Sequence, residues 1–221
     1  MRFLTRASFD IGLKKLHDDI LKMSNITAIQ IKESVNSLNL RDLKLARDVI
    51  KKDYVIDNMQ KEIEEKCIKL IAMEQPLAKD LREIFTTIKI VTDLERIADH
   101  AVDISKVVLY INENKHKVDL TDICKMSEIV QEMIGLSTEA YVDWDVEKAY
   151  DICKTDDRVD NIYKNVFKNL LEYMVREPRD VTEASQLLFV SKHLERIGDY
   201  VTNICEWTIY LITGKFVDLN D

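Results

Sequence analysis

The amino-acid sequence predicts an all-α protein of six helices, arranged as two similar antiparallel three-helix bundles. Three observations carry that reading: glycine and proline are scarce, apolar residues recur three and four positions apart over long stretches, and the second half repeats residues of the first. Only 4 Gly and 2 Pro occur among 221 residues, against 46% hydrophobic and 33% charged residues, which is the balance of long amphipathic helices and not of a turn-rich sheet protein.

The first helix shows its apolar face in Leu13, Leu16, Ile20 and Met23. Asp42 is placed to cap the second, whose stripe runs through Val49, Ile56, Met59, Ile63, Cys67 and Leu70. Pro76 marks the turn that follows, because a residue before proline is pushed out of the α region. The third helix alternates steps of four and three through Ile90, Leu94, Ile97, Ala101, Ile104 and Val108, and ends near Asn112. Residues 113–118 form a polar linker, dividing a first bundle over 1–112 from a second over 119–221. The pattern then restarts: Ile123, Met126, Val130 and Met133 in the fourth helix, Ile152, Val159, Ile162, Val166 and Leu170 in the fifth, and Val190, Leu194, Ile197, Val201 and Ile204 in the sixth. Asp145 and Pro178 repeat the cap and the turn.

The repeat extends to residue identity. A shift of 103 brings Asp42, Asp53, Asp57 and Asn58 onto Asp145, Asp156, Asp160 and Asn161, and a shift of 100 brings Leu94-Glu95-Arg96-Ile97 with Asp99 onto Leu194-Glu195-Arg196-Ile197 with Asp199. The difference of three residues belongs in the second turn, where length changes are tolerated.

Composition removes several classes of function. A formal net charge of −8 with no basic stripe disfavours nucleic acid and anionic lipid as direct partners. No apolar run approaches the ~20 residues of a membrane span, and there is no signal-peptide pattern, so a cytoplasmic protein without direct membrane insertion is expected. Cys67, Cys124, Cys153 and Cys205 lack C-x-x-C or zinc-ligand spacing and read as reduced thiols.

The repeated acids carry the chemistry. Asp57 lies 19 residues before Pro76 and Glu95 lies 19 after it, while Asp53 and Asp99 stand 23 before and 23 after. Around Pro178, Asp160 and Glu195 stand 18 before and 17 after, and Asp156 and Asp199 stand 22 before and 21 after. Two antiparallel helices leaving one turn therefore set these residues side by side. Within each helix the acids are four apart, about 6 Å along one face, where like charges repel unless they hold protons or a cation. Asp103 extends the first group and Asn203 takes the equivalent place in the second. On a helical wheel Asp53 and Asp57 fall about 60° and 100° from Ile56, at the shoulder of the core. Glu95, Asp99 and Asp103 fall roughly 140° to 220° from Ile90, so any ion is expected in an outer groove. All-oxygen ligands suit iron, manganese, magnesium or calcium, and more acids are present than one ion needs. The same offsets turn His100 and His193 away from the acids, as surface histidines, and leave Arg96 and Arg196 for ion pairs or a contact between halves.

The segments QPLAKDLREIFTTIKIVTDLERIADHAVDI and EPRDVTEASQLLFVSKHLERIGDYVTNI, with the acids of KKDYVIDNM and KTDDRVDNI, resemble the PhoU family of phosphate-signalling proteins over nearly the whole chain. The resemblance implies two three-helix bundles related by a pseudo-twofold, and multinuclear metal clusters of iron or zinc. It assigns Asp53, Asp57, Glu95, Asp99 and Asp103 to one cluster, and Asp156, Asp160, Glu195 and Asp199, with Asn203 departing from the acid pattern, to the other. It further implies a non-enzymatic negative regulator of the phosphate-starvation response. Such a regulator acts between a phosphate ABC transporter ATPase and a sensor histidine kinase, at the inner face of the membrane through protein contacts, and a homodimer is open to it. Two readings from other classes stay open: a metal-free helical adaptor with acidic docking patches, and a di-iron carboxylate enzyme. The second would need Glu-x-x-His on bundle helices, and only Glu113 to His116, in the linker, has that spacing.

Overall fold

The computed structural model describes residues 2–111 and 118–220. Among them the chain forms α1 (Arg2–Leu40), α2 (Leu43–Lys52), α3 (Tyr54–Glu74), α4 (Ala78–Ile111), α5 (Thr121–Asp143), α6 (Val146–Arg176) and α7 (Val181–Thr213), with a short 3-10 turn at Pro178–Asp180. The expected linker, including Glu113 and His116, lies outside the described residues apart from Val118. No helix of the described residues is long and apolar enough to cross a membrane.

The capping and turn expectations hold. The Asp42 carboxylate accepts from the amides of Lys44 and Leu45, and Asp145 accepts from Lys148, satisfying amides that a helix start leaves free. Pro76 and Pro178 both sit in the hairpins. The second helix departs from expectation by breaking into α2 and α3 at Asp53. Asp53 keeps helical dihedrals (φ −54°, ψ −39°), but its carbonyl accepts from Ile56 at 2.9 Å, a tightened 3-10-type bond, and from Asp57 at 3.3 Å. The two segments thus serve as one outer helix of the first half, and six rods result.

Those rods form two antiparallel three-helix bundles related by a pseudo-twofold. α1 and α4 of the first half pack directly on α5 and α7 of the second, leaving α2–α3 and α6 on the outside. The core runs unbroken through both halves: Ile20, Met23, Ile90, Ile97, Ile134, Tyr141, Leu194 and Ile197 are all nearly or fully out of water and belong to one continuous core. Polar links cross it as well. The Thr87 hydroxyl and the fully buried Tyr141 hydroxyl stand 2.6 Å apart, and Thr138 donates to Ser24 at 2.9 Å. Burial raises the Tyr141 phenol well above its ordinary range.

Among the described residues, three non-glycine ones take left-handed dihedrals at helix ends: Arg41 (φ 52°), Gln75 (φ 46°) and Trp144 (φ 59°). Two of them reach into the opposite half. Arg41 donates to Glu183 at 2.7 Å, and the Lys79 ammonium lies 4.6 Å from the centre of the Trp144 ring. Beyond α7, Phe216 stacks on Tyr210 at 4.0 Å, the Leu219 amide donates to Glu206 at 2.6 Å, and the Asn220 amide donates to Asn203 at 2.9 Å.

Candidate metal centre

The α3–α4 hairpin brings the acids of the first half into one electrostatic group, as the level counting predicts. Asp53 stands above its ordinary pKa because of burial and then the charges of Asp57 and Asp99, an effect opposed by a hydrogen bond that Gln30 of α1 donates at 3.2 Å. Glu95 is raised by burial and by Asp99, Asp57 and Asp53, and Asp99 by burial, Asp103 and Asp57. Asp99 is exposed and Glu95 and Asp103 are half-buried, so the wheel's outward placement holds best for Asp99. Lys106 pairs with Asp103 at 2.9 Å.

In the second half α6 and α7 gather Asp156, Asp160, Glu195 and Asp199 in the same way. Asp156 is the most perturbed, pushed up to about 7 by burial and then by Asp199, Asp160 and Glu195. Its Oδ1 is buried and makes no hydrogen bond. It fits there because position 198 is glycine: a Cβ on Gly198 would stand 2.1 Å from that oxygen. Asp199 is raised by burial and Glu195, and Lys192 pairs with Glu195. The Asn203 side-chain oxygen turns instead to the chain end, where it accepts from Asn220.

An orphaned buried carboxylate oxygen, a missing Cβ that makes room for it, and an all-oxygen donor set together fit a hard or borderline cation. The acids of each group do not converge as tightly as a single small ion requires. Among the described residues the one group of three donors found within 4.8 Å of one another is His100, Asp103 and His193. A spread set of carboxylates suits several bridged ions better than one.

The histidines correct the sequence reading. His100 is 9% exposed, and its Nδ1 lies 3.0 Å from Nδ1 of His193 across the α4–α7 seam. Burial lowers both below the ordinary imidazole value, His100 to about 4. The wheel assumed one buried stripe per helix, whereas α4 and α7 are central helices whose second faces are covered by the other half. Arg96 meets the expectation of a contact between halves: its guanidinium lies 5.8 Å from the Tyr200 ring centre, with Arg196 at 5.9 Å, and it pairs with Asp93 at 3.7 Å.

Sequence reasoning also missed Gln30, Gly198 and a thiol pair. Cys153 of α6 is lowered by a hydrogen bond from Cys205 of α7, which is itself raised well above its usual range. All four cysteines are free thiols. Level counting gave only a loose signal for the pair, since Cys153 stands 25 residues before Pro178 and Cys205 stands 27 after it, about one turn beyond the level the acids keep.

Comparison with known proteins agrees with this architecture. The family model "PhoU domain" matches the chain twice, over residues 20–108 and 123–208. The chain is similar to the phosphate-specific transport system accessory protein PhoU homolog of Clostridium acetobutylicum, at 51% identity over 99% of the chain and 100% of the relative. It is similar to the homolog of Rhizobium meliloti at 36% identity, over 94% and 88%. Among solved structures, the phosphate transport system regulatory protein PhoU from Streptococcus pneumoniae superposes with a TM-score of 0.88 at 30% identity, covering 95% of this chain and 99% of that one. PhoU from Pseudomonas aeruginosa gives 0.88 at 31%, covering 94% and 100%. Twice matched by one family model, and similar to these relatives over nearly its full length, the chain belongs to the PhoU family.

Proposed function

We propose that the chain is a cytoplasmic, metal-binding negative regulator of phosphate uptake and of the phosphate-starvation response, with no catalysis of its own. The observation that carries the metal reading is the orphaned Asp156 oxygen beside Gly198, inside a group of four acids whose counterpart recurs in the other half. Asp53, Asp57, Glu95, Asp99 and Asp103 would hold ions in the first half, and Asp156, Asp160, Glu195 and Asp199 in the second, with iron or zinc the favoured elements. Bound ions would neutralise the acids and offer open coordination positions to water or a phosphate oxygen. The regulatory half of the reading rests on the relatives named as accessory proteins of phosphate-specific transport. A transporter ATPase and a sensor kinase are the partners it implies.

A metal-free adaptor is favoured by one observation: Lys106 and Lys192 already pair with acids of the two groups. Purification without chelators and elemental analysis separate the readings. Metal is expected in the wild-type chain, and Asp57→Ala/Glu95→Ala is expected to lower it by the content of the first group. Metal content unchanged in that variant overturns the site assignment. For regulation, a deletion strain is expected to express its phosphate-response genes in rich phosphate; normal repression there removes the regulatory reading. Oxygen consumption or ferroxidase turnover by the iron-loaded protein would establish an enzyme instead.

A further inference from the structure

We propose that His100, His193 and Asp103 form a mononuclear site for a borderline divalent ion such as zinc, cobalt or copper, which shares Asp103 with the first acidic group and ties α4 of one half to α7 of the other. One donor atom from each lies within 4.8 Å of the others. The two imidazole nitrogens stand 3.0 Å apart. Nitrogens bound to one tetrahedral ion at ~2.0–2.1 Å each are themselves about 3.3 Å apart, so the pair needs to open by only a few tenths of an ångström to admit the ion. Packing holds the arrangement: His100 is almost out of water and its ring lies 5.7 Å from that of Tyr200. The hydrogen bond from Lys106 uses Oδ1 of Asp103, and a carboxylate has further lone pairs to offer. Lys106 is itself largely exposed and free to swing aside.

Two imidazoles with one carboxylate make a donor set unlike the oxygen-only groups, and it selects a different ion. Imidazole suits zinc, copper, nickel and iron, whereas carboxylate-only sites suit harder ions. Three protein ligands leave a fourth position open to water or an anion. Asp103 is thereby shared: it stands beside Asp99 of the first acidic group and within reach of the histidines. Occupancy here would link that group to the second half, which none of the acids does alone.

The site is tested on the full, chelator-stripped chain with cobalt(II), read by visible absorption, and with copper(II), read by nitrogen hyperfine coupling in electron paramagnetic resonance. The expected result is one equivalent of ion with nitrogen ligands in the wild type and in Asp57→Ala/Glu95→Ala. Nitrogen coordination should be lost in His193→Gln and weakened in Asp103→Asn. His193 is only half-buried, so His193→Gln keeps the test available if His100→Gln misfolds; helix content by circular dichroism confirms that each variant is folded. Wild-type spectra lacking nitrogen coordination, or spectra unchanged by His193→Gln, overturn the proposal. Metal on the acids without any imidazole signal sinks this site and leaves the acidic groups standing, and an imidazole signal with no metal beyond that one equivalent does the reverse.

Discussion

Asp53 and Asp156 occupy equivalent positions in the repeat yet meet different neighbours. Gln30 donates to Asp53, and Ala98 lies on the facing helix; Asp156 has no donor on Oδ1, and Gly198 makes its room. Gly198→Ala should therefore displace the Asp156 carboxylate. The added methyl gains up to ~1 kcal/mol of helix propensity and meets an overpacking penalty of about 1–3 kcal/mol, so the change in stability stays modest. Metal content of the second group falls, which elemental analysis in an Asp57→Ala/Glu95→Ala background reads directly. A pH dependence follows from the same residue. Asp156 is raised from 3.8 to about 7 in the folded chain, so between those values the native state holds a proton that the unfolded state has released. Its contribution to stability is fully present below the lower value and is lost as pH rises through the upper one. The metal-free protein should melt at a lower temperature at pH 8 than at pH 5, and Asp156→Asn should flatten that slope. Melting curves followed by circular dichroism decide it.

At the level of helices, most of the architecture is written in local chemistry. The caps at Asp42 and Asp145 are visible because a short acceptor before an apolar periodic run has one economical use, and both are seen to accept first-turn amides. Asp145→Ala should lower stability by about 1 kcal/mol, a fall of roughly 2–4 °C in the melting temperature for a chain of this size. The interruption at Asp53 was not legible, because it is a change in hydrogen-bond register that side-chain periodicity does not report. Counting outward from each proline located the acids, since the members of each group lie on two helices of one hairpin. The same count sets Cys153 level with Thr202, about one turn short of Cys205. It could not find His100 with His193 or Arg96 with Tyr200, because those pairs exist only once two hairpins dock.

The whole molecule has one core and two halves. Since α1 and α4 bury their second faces against α5 and α7, neither half alone can keep its apolar surface out of water, and unfolding should be a single cooperative event. Both tryptophans, Trp144 and Trp207, lie in the second half, whereas far-ultraviolet circular dichroism sees every helix. Denaturant curves from the two probes are expected to coincide; a separate earlier step in either would show that the halves unfold independently.

The left-handed turns at Arg41 and Trp144 work as clasps. Glycine would sit at either position without the ~1–2 kcal/mol that a Cβ adds there, but glycine has no side chain to carry across to Glu183 or Lys79. Each turn thus accepts backbone strain in exchange for reach. The strained conformation gains its compensating contact only when the two halves are docked, so the reach of each turn serves to hold the halves together.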